Sequence, residues 1–215
     1  MAKWSPQLAL DAYLRTLQLC KTKTTSSQKV CETITEPKCM EFISALAAGN
    51  RARVIMEITS EGLTALTMAL AVAAKHTGGH LLCIVLHNHD QDSHQRQHSN
   101  FIPTELEDVI ELVYGYPYEV MIQCKNIDFL VVDGKLEDQL NLFQMIDLNP
   151  KGSVIVRHNL AYSEKRSGLS QVWKGSYNTV DSVTLPMGEG MELTKVGSMK
   201  KLQNRRYKRF HVTYE

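Results

Sequence analysis

A polar turn between two apolar runs is the part of this sequence whose residue types could do chemistry. Glu57 lies near the end of the run RVIMEI, and Thr59, Ser60 and Gly62 precede a stretch rich in Ala, Leu and Met. The N–H groups at a helix N-terminus bind anionic or polar groups, and glycine lets a ligand approach the backbone. This pattern indicates either a site for a nucleotide or nucleoside or a plain strand-to-helix turn. Because the pattern G-x-G-x-x-G is absent, a site that grips the phosphates of a dinucleotide is disfavoured.

The elements that must position this turn are a strand, a helix and a second strand within 53–86. Ala, Leu and Met are strong helix formers, and Gly78 and Gly79 suit the end of that helix. Two strands joined by one helix form a parallel pair. Ligands in open α/β sheets bind outside the carboxyl ends of the strands, so the site is expected at 57–62 and 87–90.

The rest of the chain continues the alternation of helices and strands. Two helices are expected before the central unit, separated by a polar connector at 21–36. In all, we expect about five parallel strands and a closing antiparallel hairpin. The further expected elements are helices at 5–19, 37–49, 103–113 and 136–148, and strands at 118–123, 126–133, 153–159, 179–185, 191–196 and 207–214.

The composition is that of an ordinary globular protein. Of 215 residues, 43% are hydrophobic and 22% are charged, which favours one domain with a full core. No apolar run reaches the roughly 18 residues that a membrane span needs, and the N-terminus has no apolar signal core. We therefore expect an intracellular protein, cytoplasmic or nuclear, with no membrane partner. The five cysteines include no C-x-x-C pair, which favours reduced thiols over disulfides or zinc.

A basic segment and a histidine-rich segment could each form a further site, but each has a simpler interpretation. Residues 195–215 hold seven Lys or Arg and one acid, whereas the rest of the chain holds 17 basic and 22 acidic residues. This segment could grip the phosphates of a nucleic acid, but a solvated segment is favoured, so a nucleic acid partner is not expected. Residues 87–100 hold four histidines, and a solvated loop is favoured there over a metal site.

Four segments, in order along the chain, resemble S-adenosylmethionine-dependent O-methyltransferases of the caffeoyl-CoA type. VIMEITSEGLTALTMALA is similar to their first motif, and IDFLVVDGK is similar to their strand FDFIFVDADK. SVIVRHN resembles their GVIGYDN strand, and LPMGEGMELTKV resembles their closing hairpin. WSPQLALDAY and HTGGHLLCIV resemble more closely an uncharacterised plant family of methyltransferase-like Rossmann proteins. The resemblance implies an α/β, Rossmann-like methyltransferase fold with a mostly parallel seven-stranded sheet and a C-terminal antiparallel hairpin.

The resemblance also implies roles for residues at matching positions. The cofactor would be S-adenosylmethionine, with a divalent metal such as Mg²⁺ beside it, and a small molecule would accept the methyl group. A homodimer is also implied, because related enzymes often form one. A single domain would comprise an N-terminal helix and connector (1–36), a Rossmann-like core (37–197) and a basic C-terminal extension (198–215). Lys135 matches the catalytic lysine with a shift of one residue. The implied cofactor-binding residues are Glu57, Thr59, Ser60, Gly62, His87, Asp90 and Asp133, and the implied metal-binding residues are Asp133, His158 and Asn159.

Departures from the family pattern favour a second interpretation. The turn after the first strand is one residue shorter than in the family motif and lacks the first glycine of that motif. His87 stands where the family has an acid that binds the ribose hydroxyls, and His158 stands where it has a metal-binding Asp. One carboxylate instead of two weakens the binding of a hard ion such as Mg²⁺, and the nearby cations Lys135 and Arg157 weaken it further. The alternative is a non-catalytic member of the fold that senses a ligand or binds a protein.

Overall fold

A computed structural model shows the architecture of the chain. No helix among the described residues combines the length and the apolar character that a membrane span requires. His87, Asp90 and the basic segment from 200 onward lie outside the described residues. The structure describes residues 3–24, 37–60, 62–85, 102–115, 121, 124–136, 139–162 and 170–199.

Seven strands of the described chain form one mixed sheet. In chain order they are β1 (Val54–Thr59), β2 (His80–Val85), β3 (Ile110–Tyr114), β4 (Phe129–Asp133), β5 (Ser153–His158), β6 (Val180–Leu185) and β7 (Met191–Val196). The order across the sheet is β3-β2-β1-β4-β5-β7-β6. The first five strands in this order are parallel, and β7 is antiparallel to both β5 and β6. This arrangement confirms the predicted fold class, including the C-terminal antiparallel hairpin.

Helices of very different length accompany the sheet. The first three pack against one another on one face of the sheet. Leu160–Tyr162 adds a short 3-10 turn after β5. The helices are α1 (Pro6–Thr24), α2 (Pro37–Gly49), α3 (Ala65–Thr77), α4 (Thr104–Glu107), α5 (Gln139–Met145) and α6 (Ser170–Trp173).

Apolar side chains cover both faces of the sheet. On one face, α1, α2 and α3 pack against strand residues that include Ile55 and Phe129. On the other face, α5 and α6 pack against residues that include Met56 and Leu130. Strands buried on both faces appear in the sequence as continuous apolar runs, which is why β1, β2, β4 and β5 were predictable.

The prediction of a helix at 103–113 is wrong. The helix α4 ends at Glu107, and β3 begins at Ile110 and pairs in parallel with β2. The acids of the first turn suit a helix N-terminus, and α4 does begin there. The β-branched and aromatic residues that follow suit a strand, and pairing with β2 outweighs the local preference for a helix.

The polar connector predicted at 21–36 begins later than expected, because α1 continues to Thr24. The helix predicted at 136–148 is shorter, since α5 occupies only Gln139–Met145. Residues 25–36 and the strand predicted at 207–214 lie outside the described residues, and so does nearly all of the strand predicted at 118–123.

Candidate functional site

The carboxyl ends of β1, β4 and β5 meet at one edge of the sheet, as parallel pairing requires. Thr59 ends β1, Asp133 ends β4 and His158 ends β5, and Asp133 lies directly opposite His158 in the register. The helix α3 begins at the same edge, after the turn that follows β1. The structure therefore brings these predicted site residues to one edge, while the predicted residues after β2 lie outside the described ranges.

A left-handed glycine and a pair of threonines start α3 beside the end of β1. Gly62 has a φ of 80°, a conformation that favours glycine. The Thr64 hydroxyl accepts hydrogen bonds from the N–H groups of Leu66 (3.2 Å) and Thr67 (3.4 Å). The Thr67 hydroxyl in turn accepts a hydrogen bond of 3.0 Å from the N–H of Thr64. Neither threonine was predicted, although T-x-x-T at 64–67 is close to the S/T-x-x-E/Q capping signal.

Glu57 is buried in β1 with an incompletely paired carboxylate. The residue is only 1% exposed, and burial raises the pKa of its carboxyl to about 7. Hydrogen bonds with the side chains of Thr67 and Cys83 oppose this rise in pKa, and the charge of nearby Asp133 adds to it. Its Oε2 has no hydrogen-bond partner among the described residues. A buried oxygen without a partner is rare, so Oε2 retains the capacity to accept a further hydrogen bond.

Asp133 is hydrogen-bonded to the loop after its own strand and to the residue that follows β5. Its Oδ1 accepts a hydrogen bond of 3.1 Å from the N–H of Lys135 and one of 3.0 Å from the side-chain amide of Asn159. Asn159 has a φ of 57°, which asparagine tolerates better than most residues. The side chain of Lys135 is exposed. Asp133 and Asn159, which were predicted to share a site, are thus in direct contact.

The donor set around Asp133 does not fit a divalent metal ion well. Its Oδ1 is engaged by two N–H donors, and Asn159 presents N–H rather than its carbonyl oxygen to it. Hard divalent ions bind oxygen ligands and favour several carboxylates. The predicted set of Asp133, His158 and Asn159 contains only one carboxylate. The described residues contain no group of three His, Cys, Asp or Glu side chains suited to a metal. The chemistry proposed for this edge therefore does not depend on a metal ion.

A buried ion pair supports the loop after β4. Arg157 Nη2 and Glu192 Oε2 lie 2.8 Å apart, and both side chains are almost completely buried. Arg157 Nη1 also contacts Oε1 of Gln139 at 3.4 Å. The Nε2 of Gln139 donates to the carbonyl oxygens of Gly134 and Leu136, both at 2.8 Å. This chain of contacts joins β7, β5 and α5 to the loop that carries Lys135. The sequence analysis named Arg157 only as a nearby cation, and it predicted neither Glu192 nor Gln139 as its partner.

Gly134 lies where the loops after β4 and β5 approach each other closely. Its N–H donates to the carbonyl oxygen of His158 at 2.8 Å. A Cβ atom at this position would lie 2.5 Å from the same oxygen and 2.6 Å from the carbonyl oxygen of Asn159. Both obstacles are backbone atoms, so no side chain can move aside to make room.

The substitution Gly134→Ala is expected to lower the free energy of unfolding by about 2–3 kcal/mol, because overpacking against rigid atoms is destabilising. Urea denaturation of the purified protein measures this change. Gly175→Ala is the matched control, since a Cβ at Gly175 would meet no atom within 4 Å. Equal stabilities of the two variants would contradict the close approach of the loops.

The strand order, with the antiparallel strand β7 beside β5, is that of a Rossmann-like methyltransferase fold, and solved structures share it. A methyltransferase from Geobacter sulfurreducens has a TM-score of 0.56 at 16% identity, over 87% of this chain and 89% of that chain. The O-methyltransferase from Bacillus cereus in complex with SAH has a TM-score of 0.56 at 16% identity, over 86% and 90%. TomG from Streptomyces achromogenes, an O-methyltransferase of tomaymycin synthesis in complex with SAM, has a TM-score of 0.55 at 14% identity, over 87% and 90%. At these identities the similarity establishes the fold.

The chain belongs to the family described as "Protein of unknown function (DUF1442)", whose match covers residues 2–214. The match therefore includes the turn after β1, the loop after β4 and the closing hairpin. A comparison with curated proteins finds no match.

Proposed function

We propose that this protein is an S-adenosylmethionine-dependent methyltransferase that acts on a small acceptor. The observation that carries the proposal is the buried carboxylate of Glu57, whose Oε2 has no partner among the described residues. It lies in the strand that leads into the Gly62 turn and is hydrogen-bonded to Thr67 in the first turn of α3. Support also comes from the neighbours of B. cereus and S. achromogenes, which share this fold and are in complex with SAH and SAM.

The residues at this edge suit a ligand that carries amino, hydroxyl and carboxylate groups. Glu57 Oε2 can accept a hydrogen bond from an amino or hydroxyl group of the ligand. Gly62 has no side chain, so a ligand can approach the backbone of the turn. The N-terminus of α3, a helix of 13 residues, favours a negatively charged group such as a carboxylate. Thr59 and Ser60 complete the predicted lining of the turn.

The remaining roles follow from the loop after β4. S-adenosylmethionine, when bound, supplies a methyl group on a sulfonium for in-line transfer to a nucleophilic acceptor atom. Lys135, whose side chain is exposed at this edge, is the proposed general base: its neutral amine form would accept the proton that the substrate loses and become an ammonium. Asp133 holds the backbone N–H of Lys135 at 3.1 Å, and Gln139 holds the carbonyl oxygens of the same loop.

The first test is calorimetric titration of the purified protein with S-adenosylmethionine and S-adenosylhomocysteine. We expect micromolar binding that Gly62→Trp weakens by about tenfold or more, because a side chain would fill the space left at the turn. Gly78→Trp is the matched control. Gly78 also has a positive φ, of 65°, and a Cβ there would meet no atom within 4 Å, but it lies at the opposite end of α3.

Weaker binding by Gly62→Trp alone, with both variants folded as judged by circular dichroism, would support the proposed cofactor site. No binding of either ligand to the unsubstituted protein would overturn it. Equal binding by the two variants would place the ligand elsewhere and would also contradict the proposal.

A second candidate function is that of a non-catalytic protein that senses an adenosyl ligand or binds a protein. The observation that favours it is the occupation of Asp133 Oδ1 by two N–H donors, which makes a metal-assisted methyl transfer unfavourable. The two candidates differ in turnover. Formation of S-adenosylhomocysteine in the presence of a panel of phenolic, carboxylic and amine acceptors would exclude the non-catalytic function. Binding of the cofactor without any turnover across that panel would favour it.

A further inference from the structure

A cavity lies at the opposite edge of the sheet, away from the site proposed above. Its volume is about 390 Å³. Its walls come from the turn between α2 and β1 (50–53), the end of α3, the start of β4 and the turn before β5 (149–154), with Leu8 of α1. We name it the amino-edge cavity, because the strands β1, β4 and β5 begin there.

Cationic residues predominate among the charged residues of the amino-edge cavity. Arg51, Arg53 and Lys151 line it, and Asp128 is the one acid among the lining residues. The chain before residue 195 has 17 basic and 22 acidic residues, so it is acidic as a whole. A net positive cavity in an acidic body attracts anions, because a concave surface lined by one sign of charge concentrates the electrostatic potential.

The carboxylate of Asp128 is committed to the walls of the cavity. Its Oδ2 accepts hydrogen bonds from the N–H groups of Arg53 (2.9 Å) and Val54 (3.0 Å). Its Oδ1 accepts a hydrogen bond of 2.7 Å from the side-chain amide of Asn149. Asp128 thus joins the start of β1 to the turn before β5, and these hydrogen bonds compensate much of its charge.

Arg51 and Arg53 lack the ion pairs that other cationic side chains of the described residues form. Arg157 is paired with Glu192, and Lys75 is paired with Asp108. Within the described residues, neither Arg51 nor Arg53 forms a side-chain ion pair, and both side chains are exposed. Arg51 also adopts a φ of 58°, a conformation that is uncommon outside glycine. The guanidinium groups are therefore available to an external anion.

We propose that the amino-edge cavity binds a small anion that carries a phosphate group. Arginine matches phosphate with two parallel hydrogen bonds, and such charge-assisted bonds are stronger than neutral ones. The volume of about 390 Å³ lies in the range of small-molecule sites, roughly 300–1,000 Å³, which favours a small ligand over a polymer. The site is independent of the proposed cofactor site, since the two lie at opposite ends of the same parallel strands.

The test uses the full chain and two probes, inorganic phosphate and ribose 5-phosphate, titrated by calorimetry at constant ionic strength. Arg53→Gln and Arg51→Gln are each expected to weaken binding by about tenfold, since each removes one charge-assisted partner. Glutamine is shorter and uncharged but stays polar, and both positions are exposed, so both variants should fold; circular dichroism without ligand checks this. Lys21→Gln is the matched control, because it removes one charge from α1 about 20 Å along the helix from Leu8.

Tighter binding of ribose 5-phosphate than of inorganic phosphate would identify the ligand as a phosphate ester, and equal binding would identify the phosphate group as sufficient. Either result supports the proposal if both arginine variants weaken binding and Lys21→Gln does not. Absence of binding by both probes would overturn it. Equal weakening by Lys21→Gln and the arginine variants would overturn it as well, since that result would reflect the overall charge of the protein.

Discussion

Replacing Arg157 by methionine is expected to lower the free energy of unfolding by about 3–5 kcal/mol, because Glu192 would remain buried without its cationic partner. The pair is 2.8 Å apart and nearly inaccessible to water, so the lost attraction cannot be replaced by solvation. Urea denaturation at neutral pH measures the loss. The variant also removes the contact with Gln139, so the loop after β4 should loosen as well.

Two further variants show whether the loss comes from the unpaired charge. The double substitution Arg157→Met with Glu192→Leu should recover much of the stability, since apolar replacements of a buried ion pair are often neutral or stabilising. Lys75→Met breaks the exposed pair with Asp108 and should cost at most about 1 kcal/mol, as surface ion pairs do. If Arg157→Met were as stable as Lys75→Met, the buried ion pair of Arg157 and Glu192 would not be important for stability, and the prediction would be wrong.

Glu57 is expected to make the protein less stable as pH rises from the weakly acidic range to neutrality. Burial raises the pKa of its carboxyl in the folded state from 4.5 to about 7, so between these values the folded state binds more protons than the unfolded state. Stability is then highest at or below the lower value and is lost as pH rises through the higher one. The expected decrease between about pH 5 and about pH 8 is roughly 2–3 kcal/mol.

The measurement is urea denaturation at several pH values in the absence of ligand. Glu57→Gln keeps the shape of the side chain but cannot ionise, so its stability should decrease much less over the same range. Glu107→Gln is the control, because Glu107 is exposed and its variant should follow the unsubstituted protein. The same pH dependence in Glu57→Gln and the unsubstituted protein would show that another group is responsible.

The central unit of the fold could be predicted because its elements are strongly patterned. The strand at Val54–Thr59 and the helix at Ala65–Thr77 are continuous apolar or Ala-rich runs, bounded by glycine turns. The closing hairpin was predictable for a similar reason, since Gly188 and Gly190 separate two runs of β-forming residues. In these segments the local preference and the tertiary arrangement agree.

The failures arise where a distant partner decides the structure. Ile110–Tyr114 becomes a strand because β2 offers it a parallel partner, which no window of local sequence shows. Arg157 and Glu192 are 35 residues apart, so their pairing follows only from the register of β5 and β7. The need for glycine at 134 arises from the backbone of another loop, at His158 and Asn159.

The position of β7 between β5 and β6 affects how a chain made from its N-terminus on the ribosome can fold. The parallel strands up to His158 can assemble early, but the outer neighbour of β5 is synthesised only at Met191–Val196. Until then β5 has an open edge, which can pair with strands of other chains. Arg157 also has no ion-pair partner in Glu192, because Glu192 lies in β7. Synthesis of β7 therefore both adds the missing neighbour of β5 and supplies the partner of its buried arginine, so a nascent chain stalled before Met191 is prone to aggregation.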